Sequence, residues 1–554
     1  MTPTLPALAD ELVEAVLRND PFGASQFGLP QYDAFAPDAS PAAEAAYRAE
    51  LTRIGDAAAG ILADPADTVL QAAIASTVRA ELNTLDVGEV DFTVTALPLS
   101  GPPVLFSTAA STVVPDEQSA QAYLARLTAS AHWIDTVTDR LRAGAARGLT
   151  PVRSLAENAL SWADAVLGEP APAALTAPAA PQGWDGAEAW RAEVHRLAAE
   201  VVSPAVRRWR DLVAQELLPV ARDDDHAGIG HLPDGEARYL AAIERHTTLP
   251  LTPQELHETG LTAVRELEER ALVLGARIGL DDLPAIRAAV AAGADPDPEA
   301  AMERARVAIL RAEARAADVI DPPLPDPCVV SPMPDTVGRS GMAPHYTLPR
   351  ADGSRPGTYW FNTVVPGMGV GWELEAVAFH EAVPGHHLQL ARAQADTSLP
   401  RLVTQTLVNA HAEGWGLYTE RLAGELGLYS SVQQEIGAVF MEMHRAARLV
   451  VDSGVHGLGW SRQKARGYLV DHIPVSRDFL FAEMDRYIAW PGQALAYLVG
   501  QQEILRLRDE ARATLGEKFT LQGFHSAVLE SGSLPLPALQ VVVRRWIEGV
   551  TAGV

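Results

Sequence analysis

One stretch limits the possible folds of this chain more than any other: a helical pattern cut by a Pro-Gly pair and resumed on two histidines. It reads Phe379-His380-Glu381-Ala382-Val383-Pro384-Gly385-His386-His387-Leu388. Within a helix Pro384 would clash with the carbonyl of His380, while Gly385 opens backbone angles closed to other residues. One straight helix is therefore excluded. Residues four apart share a helical face, so a His-Glu-x-x-His spacing brings two imidazoles to one metal ion with a carboxylate beside it. Here the next histidines come later. On an ideal helix His386 is turned roughly 240° from His380 and raised about 9 Å, and His387 regains the face about 10.5 Å along. A bulge at Pro384-Gly385 is the device that returns one of them. The spacing leaves His386 and His387 both open.

A second helix-like run, Ala412-Glu413-Gly414-Trp415-Gly416-Leu417-Tyr418-Thr419-Glu420, follows with an acid near its start. Two imidazoles and a carboxylate from a following helix make a three-ligand catalytic zinc site with a fourth position for water. Glu413 is the expected third ligand, and Glu381 is the expected general base, activating a zinc-bound water and passing its proton to the leaving amine. Glu420, two turns on along a similar face, is read as an ordinary helix-face acid.

Composition narrows the setting. The 554 residues suffice for several cores or one multi-lobed helical body. With 71 acidic residues against 44 Lys and Arg and a net charge of −27, the surface repels phosphate backbones, so no nucleic-acid partner is expected. The single cysteine, Cys328, allows no intrachain disulfide and no Cys ligand set, and without an activating neighbour it reads as inert. No secretory signal is apparent, and no apolar run reaches the ~18 residues that span a bilayer. A soluble cytoplasmic protein with no membrane partner is the default expectation. Oligomeric state is not encoded in any visible feature.

Along the chain, helical spacing covers residues 7–19, 41–64, 66–86 and 116–145. Asp20-Pro21 ends the first helix ahead of a loop to about Asp38; residues 90–94 alternate briefly, 98–114 read as loop, and 167–186 as a surface linker. Thr252-Pro253-Gln254-Glu255 is a capping box with Pro at the first helical position, and Asp297-Pro298 opens a helix to about Val319. Between 321 and 372 alanine helices give way to Pro, Gly and β-prone runs. Two short strands, 345–348 and 357–363, are joined by a turn at Asp352-Gly353-Ser354. Helix resumes from Trp372. The expected fold is mainly α, one unit over 1–554, with an N-terminal lobe 1–250 and a catalytic lobe 251–554.

Several motifs together carry a resemblance. His-Glu-x-x-Pro-Gly-His-His, Asn19-Asp20-Pro21 with Gly28, Thr252 to His257, Phe361-Asn362-Thr363, Glu413-Gly414-Trp415, Arg448 to His456 and Pro491-Gly492-Gln493-Ala494 resemble the bacterial domain-of-unknown-function 885 family over nearly the whole chain. That family is similar to the gluzincin metallopeptidases, neurolysin-like and carboxypeptidase-like. The resemblance implies a large multi-helix zincin-like fold with a deep cleft and a small β-sheet beside the zinc helix. It implies His380, His386 and Glu413 on one zinc ion per chain, with His387 the alternative second ligand.

Amide hydrolysis also needs a donor for the developing oxyanion. Tyr497 resembles the tyrosine of the neurolysin-like Gly-rich helix and is the first candidate; His456 is the second and Tyr487 the third, the last also a substrate contact. Asp452, four residues before His456, is a candidate to orient it or a ligand. Arg448 is placed either to fork a substrate carboxylate or to pair with Asp452. The resemblance further implies that the strand Tyr359–Thr363 is an edge that pairs with extended substrate, with Asn362 in contact. The function so implied is a zinc metallopeptidase for short peptides. Alternatives are a zinc amidohydrolase acting on a non-peptide or N-acyl amino acid amide, and a catalytically inactive metal-binding protein.

Overall fold

The computed structural model describes residues 3–63, 67–293, 297–321, 324–334, 338, 343–350, 353, 355–364 and 371–553. Asp352 and Ser354 of the expected turn lie outside the described residues. Helix dominates, and it begins where the sequence marks it. Thr252 and Glu255 form a reciprocal capping box at the start of Pro253–Ala276, and Asp297 accepts from the Glu299 and Ala300 amides to open Pro298–Ala316. Ser40 caps Pro41–Ala59 and Asp116 caps Glu117–Ala146 in the same way. Each such cap satisfies a backbone donor that the first helical turn leaves orphaned.

The expected loops are more helical than their composition implied. Asp20 ends the Leu5–Asn19 helix, but its carboxylate takes the Gly23 amide at 3.0 Å and starts a second helix, Pro21–Gln26. Pro102–Ala110 is helical within the expected 98–114 loop, and Ala173–Thr176 forms one turn within 167–186, seated on buried Leu175. The alternation at 90–94 gives no strand; Glu89–Asp91 is a 3-10 turn.

A small sheet stands beside the motif helix. Its strands are β1 (Val329–Pro332), β2 (His345–Thr347) and β3 (Thr358–Phe361), in the order β1-β3-β2. β2 and β3 pair antiparallel with Tyr346 opposite Tyr359, and β1, which the sequence did not announce, joins β3 in parallel with Val330 opposite Tyr359. β3 is therefore central. The expectation that the Tyr359–Thr363 strand is a free edge for substrate is corrected: both its flanks are occupied, and β2 is the edge whose outer side meets Glu381.

The largest hydrophobic core joins Leu8 and Leu12 near the N-terminus to Val451, Leu507 and Val543, so it crosses the 250/251 boundary. A second core gathers Phe22, Tyr123, Ile134 and Trp209, and a third packs Ile309, Tyr359, Phe361 and Phe379 around the sheet. Each fully buried Leu, Ile or Phe side chain contributes about 1.5–3 kcal/mol. The motif helix, Leu374–Glu381, lies between Pro298–Ala316, Asn409–Glu425 and Val432–His456, and all eight of its residues are buried. A helix that is apolar on every side except His380 and its two acids is a core helix. Its few polar groups are therefore held rigidly.

Candidate metal centre

The motif helix ends at Glu381. Ala382 leaves helical angles, the Val383–Pro384 peptide is cis, and a π-helical turn, His387–Ala391, follows. A Cβ at Gly385 would fall on the carbonyl oxygen of His380, so only glycine lets the chain fold back so closely over the helix end. The return brings His386, rather than His387, beside His380: their rings lie 4.6 Å apart, nearly perpendicular.

Glu413 completes the group. Its Oε2 stands 3.4 Å from His380 Nε2 and 3.5 Å from His386 Nε2, and one donor atom from each of the three residues lies within 4.8 Å of the others. His380 approaches the Glu413 helix at Gly416, where a Cβ would stand 2.6 Å from its ring. His387 turns the other way. Its Nε2 donates to the Asp326 carbonyl at 2.6 Å and its Nδ1 takes the Tyr346 hydroxyl at 3.0 Å, so both nitrogens are used in fastening the π-turn to the sheet.

Glu420 is not an ordinary helix-face acid. It is 2 % exposed, and its Oε1 accepts from His380 Nδ1 at 2.8 Å, with Arg445 3.8 Å away. Seven residues make two turns, so Glu413 and Glu420 flank His380 from one face of one helix. The Glu420 bond holds a ring proton on Nδ1 and points Nε2 toward Glu413. Burial opposes charge on His380, but Glu413 and Glu420 outweigh it and lift its pKa to about 9. Burial likewise opposes the Glu413 charge, and the two histidines overcome it and hold the carboxyl well below its ordinary value. The group thus attracts a cation, and two imidazole nitrogens with one carboxylate oxygen are a donor set that suits zinc. His386 Nδ1 is buried with no hydrogen-bond partner among the described residues, so besides its Nε2–Glu413 contact only packing orients that ring.

Glu381 lies at the open end of the motif helix, where its Oε2 accepts from the Tyr346 amide of β2 at 2.9 Å. Tyr497, half-buried, stacks on His380 at 6.5 Å between ring centres, and Arg448 covers its ring at 4.5 Å. Burial and the Glu413 charge raise its phenol above the ordinary value, against Arg448, Arg486 and Arg445, so it keeps its proton.

The other expected residues serve the frame. His456 accepts from the Ile229 amide through Nδ1 and donates to the Tyr487 carbonyl through Nε2, and burial lowers its pKa to about 4. Asp452 pairs with neither His456 nor Arg448. It takes the Tyr239 hydroxyl at 2.7 Å and the Gly492 amide at 3.2 Å, and so fixes the turn that leads to Tyr497. Burial lifts its carboxyl to about 7, beyond what those two bonds offset. Arg448 pairs instead with Glu483 at 2.9 Å and with the Tyr487 hydroxyl at 2.8 Å. That hydroxyl donates to Glu483 and also meets His444, so Tyr487 is committed to a buried network. Asn362 is fully buried, donating to the Gly338 carbonyl and accepting from the Val364 amide. Burial raises the Cys328 thiol to about 12, consistent with an inert residue.

Comparison with known proteins adds a lineage. The model of a family described as "Bacterial protein of unknown function (DUF885)" matches residues 21–543. The chain is 27% identical, at a TM-score of 0.90, to a crystal structure described as "the putative lipoprotein from Colwellia psychrerythraea", covering 99% of this chain and 100% of that one. A second structure, "a putative lipoprotein of unknown function from Shewanella oneidensis", shares the fold at 17% identity and a TM-score of 0.74, covering 97% and 99% of the two chains. No curated protein matches.

Proposed function

For a chain that belongs to the bacterial DUF885 family, we propose a zinc-dependent hydrolase that cleaves the amide bonds of short peptides, built on a zincin-like arrangement. One observation carries the reading: His380, His386 and Glu413 converge to within 4.8 Å, and Glu381 is the next residue after a ligand. Zinc bound there supplies Lewis acidity and lowers the pKa of water toward ~7.

The chain's own residues do the rest. His380, braced by Glu420, and His386 present nitrogen lone pairs, and Glu413 supplies the anionic ligand. Glu381 takes the proton of the attacking water and delivers it to the leaving amine. It is held for this by the β2 amide, and that edge is also where an extended substrate backbone gains hydrogen bonds. Tyr497, kept protonated and aimed by the Asp452–Gly492 contact at the start of its turn, donates to the developing oxyanion. A structural metal site has no need of an adjoining base, which favours catalysis over simple metal binding.

A screen of dipeptides and oligopeptides with free and blocked termini tests the reading. Peptide cleavage that is lost in Glu381→Gln, with metal content unchanged, is expected. Turnover by Glu381→Gln at the wild-type rate removes the base. Cleavage confined to N-acylated or non-peptide amides moves the substrate class while leaving the centre in place.

A further inference from the structure

His387 is the motif histidine for which the proposed metal centre has no use, yet it is 2 % exposed and hydrogen-bonded through both ring nitrogens. A carbonyl oxygen only accepts, so the proton that His387 gives to Asp326 sits on Nε2 and leaves Nδ1 to accept. What Nδ1 accepts is the hydroxyl of Tyr346, whose ring also meets the imidazole edge to face at 5.5 Å. Burial raises the Tyr346 phenol well above its ordinary value, so that hydroxyl stays a donor.

Tyr346 has a second engagement. Its backbone amide reaches Glu381 Oε2 at 2.9 Å, and among the described residues it is the only hydrogen-bond donor that this carboxylate meets. Glu381 is the last residue of its helix and Ala382 leaves helical angles, so no following turn packs against the side chain. One tyrosine therefore has its hydroxyl held by the π-turn and its amide held on the carboxylate. Gly357, at the entry to β3, leaves room for the first of these bonds. A Cβ there would stand 2.6 Å from both His387 Nδ1 and the Tyr346 hydroxyl, so any other residue would wedge the pair apart.

We propose that His387 is a positioning residue for Glu381, acting through Tyr346. The imidazole fixes the tyrosine hydroxyl, the tyrosine holds β2 in place, and the β2 amide aims the carboxylate. The two adjacent histidines then have separate work: His386 faces Glu413, and His387 sets the base. A reacting group misplaced by about 1 Å can lose about a hundredfold in rate, so such a brace matters to catalysis. The role of Glu381 rests on the hydrolase reading, whereas the chain of contacts can be followed without a substrate.

Two measurements decide it. In the full chain, isotope-labelled at tyrosine amide nitrogens, the Tyr346 signal is identified by its loss in Tyr346→Phe. Exchange of that amide with deuterated solvent should be at least roughly tenfold faster in His387→Phe and in Gly357→Ala, the scale of one lost hydrogen bond. Zinc content and the exchange of the Tyr418 amide, inside Asn409–Glu425, should hold. Gly357→Ala reaches the bond without altering either partner. On a peptide that the wild type cleaves, Tyr346→Phe and His387→Phe should each lower kcat by roughly tenfold or more, and the double variant should fall no further, because both break one chain of contacts. The proposal is overturned by wild-type exchange at Tyr346 in both His387→Phe and Gly357→Ala, or by losses of kcat that multiply in the double variant. A wild-type chain that cleaves no peptide removes the hydrolase reading instead, and the exchange rates still decide whether His387 holds the Tyr346 amide on Glu381.

Discussion

Glu420 offers the sharpest test of how the proposed metal centre is supported. It touches His380 on the nitrogen away from Glu413, at 2.8 Å and almost fully buried, where a charge-assisted hydrogen bond is at its strongest. Its backbone carbonyl is held separately by the Tyr429 hydroxyl at 2.7 Å, so changing the side chain need not move the helix. Glu420→Gln keeps an acceptor for Nδ1 and removes the charge; Glu420→Ala removes both. Loss of such a carboxylate–histidine contact typically lowers metal affinity by about 10–100-fold, or about 1.4–2.7 kcal/mol. Gln is expected near the lower figure and Ala near the upper. Ala should also lower the melting temperature, because Arg445, 3.8 Å from Glu420, is left buried without its carboxylate. Competition titration of zinc against a chromophoric chelator reads the affinity, and thermal unfolding of the same samples shows whether the fold survives. Wild-type zinc affinity in a folded Glu420→Ala protein would show that Glu420 does not brace a zinc ligand.

Three further outcomes are expected. Gly416→Ala suits a helix by about 1 kcal/mol, yet its Cβ would stand 2.6 Å from the buried His380 ring, an overpacking that typically costs about 1–3 kcal/mol, so zinc affinity should fall in a chelator titration and the unfolding midpoint should not rise. Tyr497→Phe should lower kcat by roughly 10²–10³ with KM and zinc content unchanged, if its hydroxyl serves the oxyanion as proposed; an unchanged kcat removes that role. Acid should destabilise the fold: burial depresses His411, His456 and His525 from 6.5 to about 4, so their stabilisation is full above pH 6.5 and drains as pH falls toward 4. The limit is about 1.4 kcal/mol per pH unit for each. Asp452, raised from 3.8 to about 7, acts in the opposite sense, losing its contribution as pH rises through 7. So do the raised carboxyls of Glu81, Glu373 and Glu442 and, above pH 6.5, His380, raised to about 9. His246, His387 and His444 are depressed as well, so the depressed histidines are the more numerous set. Urea midpoints at pH 7.5, 6 and 5 should decline in that order.

Local chemistry explains which parts of this architecture were legible in sequence. Capping at Thr252 and Asp297 depends on side chains within one helical turn, so the residues alone located both helix starts. The β2–β3 pair was visible from its β-prone residues, whereas β1 was not. Val329–Pro332 is a strand because β3 lies beside it, a contact made across almost thirty residues. That same contact turned the expected edge strand into the central one. At the proposed metal centre, spacing could name His380, Glu381 and Glu413 as candidates but could not separate His386 from His387. Their directions depend on how Gly385 seats against the His380 carbonyl, which no ideal helix describes. Glu420 was the missed residue, although its signal was present: an acid two turns beyond a proposed ligand on the same face. His456, Asp452 and Tyr487 were misjudged for the opposite reason. Asp452 and His456 lie four apart on Val432–His456 and suggested a site, but both are committed to the frame by distant segments, Tyr239 and Ile229, and Tyr487 is committed by Arg448 from that helix and by Glu483 one turn before it.

Metal content of the freshly purified full chain decides whether His380, His386 and Glu413 hold zinc. About one zinc per chain is expected, as for a three-ligand site. Zinc should be lost on dialysis from His380→Ala, His386→Ala and Glu413→Ala, and retained by His387→Ala and Glu381→Gln. A wild-type chain that holds no metal after exposure to zinc would rule out the site, and a His386→Ala chain that retains it while His387→Ala does not would rule out His386 as the ligand.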